Sequence, residues 1–383
     1  MDFQLSEEHQ ELRRVLRAFF AKEAPHELVM QLDREERYPA ELYAKMAAMG
    51  LCGMTIPEEY GGNPADEIAL CILSEELSRA SAALVYALIP TVTFAAKGIA
   101  DYGNDEQRRE LLPRVARGSL RFAMGLTEPD AGSDLTHLTT RADAHGDHYI
   151  VRGQKVFTTG ADAADFIFTF VRTGLREDSA GGALSVVLVP TDAPGVSIRP
   201  LRKLAGRATH TCEVFFDDVV IPITNLIGQP GDGTRMIFNL LDRERILAAS
   251  QSIGIAQGAF DYAFQYAHER HQFGQPIVQF QAVGHMLADM ATEIEAARLL
   301  TFRAAWKLEQ GLPVSADASM AKVFASETAS RCASKGMSVL GGYSYMEEYP
   351  MERYYRECKL NEIAGGTNQI LRTRILRYLA REA

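Results

Sequence analysis

The chain has 383 residues, 47% of them apolar and 23% charged, which is long enough for two or three domains around a sizeable core and ordinary for a globular protein. Its formal net charge of −10 would repel a phosphate backbone, and no basic block interleaved with aromatics offsets it, so nucleic acid is not an expected partner. Five scattered cysteines (Cys52, Cys71, Cys212, Cys332, Cys358) without a CxxC pair argue against structural zinc and against a disulfide framework.

The N-terminal "MDFQLSEEHQELRRVLRAFF" reads as a charged surface helix. It has neither the basic-then-apolar form of a signal peptide nor the acid-poor form of a transit peptide. No stretch reaches the roughly 18 uninterrupted apolar residues expected of a membrane helix, and a cytoplasmic location is expected. Residues 1–120 read as a helical domain. "EEHQELRRVLRAFFAKEA", "AELYAKMAAMG", "EIALCILSEELSRASAALVYALI" and "EQRRELLPRVARG" carry apolar residues at three- and four-residue spacing.

Residues 121–231 change texture. "HYIVRGQKVFTTG", "FIFTFVRT", "ALSVVLVP", "VSIRPL" and "TCEVFFDDVVIP" are rich in Val, Ile, Phe and Thr and are bounded by turn residues. "HGDH" reads as a hairpin turn. With no helices between them, these strands predict an antiparallel barrel or sandwich. Residues 232–383 return to helix, with three long segments able to pair in a four-helix-type bundle together with a basic helical tail. The fold class is α+β, in the order helical, sheet, helical.

Four loops draw attention. "LTEPDAGSDL" (126–135) can turn backbone N–H groups of a Gly-Ser loop toward an anion, or be a plain turn. "ERHQFGQPIVQFQ" (269–281) offers Arg270 for a phosphate and Phe273 for a flat ring, or is an interhelical loop with a salt bridge. His268 and His271 there have no partner set for a metal, and no metal site is expected. "LGGYSYMEEYP" and "AGGTNQI" are Gly-Gly turns beside helices, which suit anion binding or simple capping. GxGxxG after a strand, GxxxxGK[ST] and GxSxG are all missing, which disfavours a Rossmann site, a P-loop and a nucleophile elbow.

"LLDRERILAA" (240–249) bears most on chemistry. On a helix, Glu244 has Leu240, Leu241, Leu247 and Ala248 at i±3 and i±4, so its carboxylate shares an apolar stripe. Asp242 and Arg245 can satisfy each other at i,i+3. Glu244 either pairs with an arginine across the bundle or carries a raised pKa and accepts a proton.

In order and spacing, "LTEPDAGSD", "RHQFGQPIVQFQ", "GG" followed by "EEYPMERYYRE", and "GGTNQILR" resemble the acyl-CoA dehydrogenase family along almost the whole chain. The resemblance implies an FAD enzyme that is a homotetramer or a homodimer. Such an enzyme abstracts the α-proton of an acyl thioester, passes the β-hydride to flavin, and sends electrons to an electron-transferring flavoprotein. It also implies residue roles. Met124, Leu126, Thr127, Gly132 and Ser133 would follow the flavin edge, with Ser133 also near the thioester. Phe157, Thr158 and Thr159 would flank the ring, Phe157 standing where many members have Trp.

Arg270, Phe273, Phe280, Gln281, Gly341 and Gly342 would hold the adenosine diphosphate end across a subunit interface, with Ser338 where some members have Gln. Thr367 and Gln369 would meet the pyrophosphate. Asp242 and Arg245 would touch CoA, and Gly365 and Gly366 would lie near the thioester. Many members carry their catalytic Glu immediately before the Gly-Thr of the last motif, where this chain has Gly365. Isovaleryl-type and long-chain members place it on the "LDRER" helix, and the matching residue is Glu244, with Glu362 a rival. The alternatives are an enoyl-CoA reductase of the crotonobetainyl-CoA type, a dehydrogenase of carrier-protein-bound acyl or aminoacyl thioesters, and a non-catalytic flavoprotein.

Overall fold

The computed structural model describes residues 4–174 and 183–382. Among the described residues the N-terminal part holds seven α-helices: α1 (Glu7–Glu23), α2 (His26–Arg34), α3 (Ala40–Ala48), α4 (Glu67–Ala80), α5 (Ala82–Ile89), α6 (Lys97–Tyr102) and α7 (Asp105–Ala116). The single helix expected over residues 67–89 is two. Ser81 adopts extended backbone (φ −165°, ψ 135°), and its hydroxyl accepts from the Ala83 N–H to start α5. Helix α2 follows Pro25 and was not foreseen in the sequence.

No uninterrupted apolar run of membrane length occurs, but one helical stretch is apolar on average over such a length. Ala82–Tyr102 runs as a continuous 21-residue helical stretch whose most apolar window has a mean hydropathy of 1.6, and it includes a wider π-type turn over Pro90–Ala96. Of its most apolar window, 83% is buried inside the protein, which makes it a core helix here.

The middle part is a mixed sheet built from β1 (Phe122–Gly125), β2 (Arg141–His145), β3 (His148–Thr159), β4 (Phe166–Arg172), β5 (Leu184–Pro190), β6 (Val196–Leu201), β7 (Thr211–Pro222) and β8 (Leu226–Ile227). Its order is β6-β7-β3-β2-β4-β5-β8, with β1 beside β4. Residues 145–148 form the expected hairpin turn. Most pairings are antiparallel as expected, but β1–β4 and the short β2–β4 contact are parallel, because the chain loops out and returns between them. Thr91 locks the helices to the sheet: its hydroxyl accepts from Phe122 N–H at 2.9 Å and donates to the Phe122 carbonyl at 3.1 Å.

The C-terminal part contains α8 (Gly233–Glu269), the hairpin β9–β10 (His271–Gln272, Gln275–Pro276), α9 (Gln281–Glu309), α10 (Ser315–Leu340), α11 (Met351–Glu357) and α12 (Asn368–Glu382). Helix α8 packs against α4, α9 and α10, so N- and C-terminal helices share one apolar core. Gly254 permits the α4 contact: a Cβ there would lie 2.1 Å from the Glu75 carbonyl oxygen. Gly254→Ala will therefore separate the two helices and lower unfolding free energy by about 1–3 kcal/mol, read from denaturant midpoints.

Candidate active site

The turn before α12 is built from two left-handed glycines, Gly365 (φ +67°) and Gly366 (φ +94°). Two buried cations hold its carbonyls. Arg245 Nε donates to the Gly365 carbonyl at 3.1 Å, and Lys322 Nζ donates to the Gly366 carbonyl at 2.9 Å. In a trans peptide the N–H points away from the carbonyl. The N–H groups of Gly366 and Thr367 therefore face the other way, and neither donates to any group among the described residues.

Glu244, three turns into α8, meets this turn. A Cβ built on Gly365 would lie 3.5 Å from Glu244 Cδ and 3.6 Å from each carboxyl oxygen. The carboxyl from α8 thus occupies the space that a side chain at 365 would enter. Leu240, Leu241 and Leu247 around it are buried. Glu244 Oε2 is closed to solvent and has no hydrogen-bond partner among the described residues. Burial pushes the carboxyl above the usual range, against the lowering pull of Arg245 and Lys322. A carboxylate so placed can accept a proton near neutral pH.

Glu362 is differently placed. It accepts from the Ser330 hydroxyl and, at 2.6 Å, from Lys359 Nζ. Burial opposes these contacts, but they hold its carboxyl below the usual range.

Asp242 and Arg245 pair at 2.7 Å, as their spacing predicts. Both have further internal partners. Asp242 accepts from the Ser315 hydroxyl, and Arg245 is buried against the Gly365 carbonyl. Thr367 Oγ1 accepts from the Ile370 N–H at 3.3 Å and caps α12, while Gln369 is exposed.

The loop after β1 is clamped from beneath by a pair the sequence reading missed. Lys155 is wholly buried, and its Nζ donates to Glu128 Oε1 at 2.8 Å and to the Leu126 carbonyl at 3.0 Å. Glu128 also accepts from the N–H groups of Thr139 and Thr140. Leu126 is buried, Met124 and Thr127 are half-buried, and Gly132 and Ser133 are exposed. The Val156 N–H donates to the Thr127 carbonyl at 2.9 Å, joining this loop to β3.

There β3 bulges, so that Val156 and Phe157 together oppose one residue of β7. Phe157 is left-handed (φ +58°) with 65% of its surface exposed, a strained placement that presents its ring outward. Thr158 is buried, and Thr159 Oγ1 lies 3.2 Å from Thr211 Oγ1.

The residues expected at the adenosine end assemble separately, at the far end of α8. Arg270, Gly341 and Gly342 line a groove of about 510 Å³ with Tyr266, Ile277 and Tyr343. The Arg270 guanidinium lies 5.8 Å from the Tyr343 ring centre. Phe273 tips the β9–β10 hairpin, 94% exposed, and packs edge-on against Phe280. Gln281 is exposed; Ser338 is exposed and its hydroxyl donates to the Ser334 carbonyl of its own helix. No cluster of three metal-ligating side chains occurs among the described residues.

These features fit FAD. An outward aromatic ring lies beside an exposed Gly-Ser loop, and a Cβ at Gly132, Gly341 or Gly342 would meet open space. Residues 6–119, 123–219 and 231–380 match the N-terminal, middle and C-terminal domains of acyl-CoA dehydrogenase. The chain is 39% identical to a probable acyl-CoA dehydrogenase, YngJ, of Bacillus subtilis (strain 168), over 99% of this chain and 100% of that protein. It is 38% identical to glutaryl-CoA dehydrogenase of Desulfococcus multivorans, over 97% of this chain and 96% of that one. The solved butyryl-CoA dehydrogenase of Megasphaera elsdenii superposes with a TM-score of 0.94 at 32% identity, covering 99% of this chain and 100% of that chain. On this match of motifs, fold and full-length relatives, the chain belongs to the acyl-CoA dehydrogenase family of FAD-dependent oxidoreductases.

Proposed function

We propose that the protein dehydrogenates an acyl-CoA thioester to the trans-2-enoyl-CoA, with Glu244 as the base. The observation that carries this reading is the position of the Glu244 carboxyl, within 3.6 Å of where a side chain at Gly365 would start. The exposed Phe157, the loop residues Met124 to Ser133, and Thr158 and Thr159 would hold the flavin half of FAD. When bound, FAD supplies the hydride-accepting redox chemistry. The N–H groups of the 365–367 turn are free to donate to the thioester carbonyl, which acidifies the α C–H. Glu244 Oε2 then takes the α-proton. The groove at Arg270, Gly341 and Gly342, with Phe273, Phe280, Gln281 and Ser338 around it, would receive an adenosine diphosphate end. Thr367 and Gln369 would meet the pyrophosphate, and Asp242 and Arg245 would lie at the CoA side. In this reading the enzyme is a cytoplasmic homotetramer that delivers electrons to an electron-transferring flavoprotein.

Anaerobic mixing of the FAD-loaded protein with a panel of saturated acyl-CoA thioesters tests this. At least one, of straight, branched or dicarboxylic type, will bleach the flavin. If none does, while enoyl thioesters reoxidise the reduced enzyme, the reaction runs in the reductive direction. The pH profile gives a second check. The base acts as carboxylate, so kcat/KM falls as pH drops through its raised pKa. The acidic limb will therefore lie above the ordinary Glu range.

A further inference from the structure

Lys322 stands apart from every other buried cation near the site. It is wholly buried in α10, yet it makes no ion pair among the described residues. Its Nζ is ligated by two neutral oxygens, the Gly366 carbonyl at 2.9 Å and Asn368 Oδ1 at 3.0 Å. Asn368 is itself fixed, donating to Ser326 Oγ at 3.1 Å and Glu327 Oε1 at 3.2 Å. An ammonium buried without a paired counter-charge is costly to keep. The group that most favours its charge is the Glu244 carboxylate across the turn, and the other groups that face it are Arg245 on α8, Glu362 before the turn, and Glu327 on its own helix. Burial pulls Lys322 down to about 8, so it is charged at neutral pH.

We propose that Lys322 is a positioning residue that fixes the Gly366 peptide for the thioester carbonyl and keeps Glu244 ionised without touching the substrate. Two cations share the turn, but they divide its work. Arg245 is neutralised at short range by Asp242. Lys322 has no ion-pair partner among the described residues; Arg245 pulls the Glu244 carboxyl down more strongly, and Lys322 adds to that pull from the other side of the turn. This inference rests on Glu244 being the base, and its test does not depend on turnover.

The experiment titrates the Glu244 carboxyl by 13C NMR in the FAD-loaded protein, assigned by difference against Glu244→Gln. In Lys322→Met the midpoint will move up by about one pH unit or more. Lys322→Gln, which keeps a donor for the Gly366 carbonyl, gives the same reading should the Met variant not fold. Lys322→Arg retains the charge and will leave the midpoint within a few tenths of a unit. In flavin bleaching, the Met variant will be about tenfold slower on the acidic limb, and the deficit will narrow as pH rises to the pH-independent part left by the lost Gly366 contact, whereas a merely structural defect would not change with pH. An unmoved midpoint in a folded, uncharged variant overturns the proposal. If no thioester bleaches the wild-type flavin, the dehydrogenase reading fails, while the titration still decides whether Lys322 acts on Glu244.

Discussion

Glu244→Gln will retain FAD and a native melting profile, but flavin reduction by acyl-CoA will fall by about 10²–10⁴-fold, the usual worth of a positioned general base. Glutamine keeps the shape and loses the proton acceptor. The loss is expected to be near the upper end, because Glu362 cannot stand in: it is held by Ser330 and Lys359, and its carboxyl sits below the usual range. A relocation sharpens the test. Glu244→Gly combined with Gly365→Glu brings a carboxyl to the same place from the other segment, and will recover part of the lost rate. Recovery will be incomplete, because an L-residue at φ +67° costs roughly 1–2 kcal/mol. Stopped-flow reduction of the wild type and the two variants decides it, and wild-type rates in Glu244→Gln would remove Glu244 from the mechanism.

Lys155→Met will be among the most destabilising single changes available, about 3–5 kcal/mol, because it leaves the Glu128 carboxylate buried without its cation. Glu128 is 3% exposed and Lys155 is wholly buried, so solvent cannot replace the pair. The damage will also reach the cofactor, since Lys155 holds the Leu126 carbonyl and Glu128 holds Thr139 and Thr140 at the far end of the same loop. Weaker FAD retention should accompany the lowered midpoint in denaturant. Lys155→Met paired with Glu128→Gln will be less destabilised than Lys155→Met alone.

The same pair sets an acid limit. Burial alone would raise the Glu128 pKa, but the charge and hydrogen bond of Lys155, with Thr140 and Thr139, hold it down to about 2. A depressed carboxylate contributes its stability above its unfolded pKa near 4.5 and loses it as pH falls from there to about 2. Acid unfolding of the wild type should therefore fall in that window, and it should flatten when Glu128 is Gln.

The architecture was legible because long elements carry long patterns. Helices α8, α9 and α10 repeat their apolar residues over many turns, and β4, β5 and β7 are dense in branched side chains. Ser81 hid the α4–α5 break, since a serine in a helical run reads equally as a surface residue. Glu244 was legible from its leucine neighbours. Its meeting with Gly365 came only through the family resemblance, because nothing local records which turn a helix will face 121 positions later. Lys155 and Lys322 were missed for different reasons. The bulge in β3 breaks the alternation that would have marked Lys155 as inward. Lys322 has Ala318, Ser319, Ala325 and Ser326 one turn away, all buried, a small-residue collar that could have signalled a buried stem.

Helix α8 also acts as a ruler. Glu244 and Arg270 are 26 residues apart on one helix and its cap, so the rise of the helix separates them by about 39 Å. An extended FAD molecule is shorter than that. A flavin held beside Glu244 therefore cannot send its adenine to the Arg270 groove of the same chain. If that groove receives adenosine, it receives it from a neighbouring copy. Dilution would then loosen the cofactor and the assembly together, and the colour of the protein would report on its association.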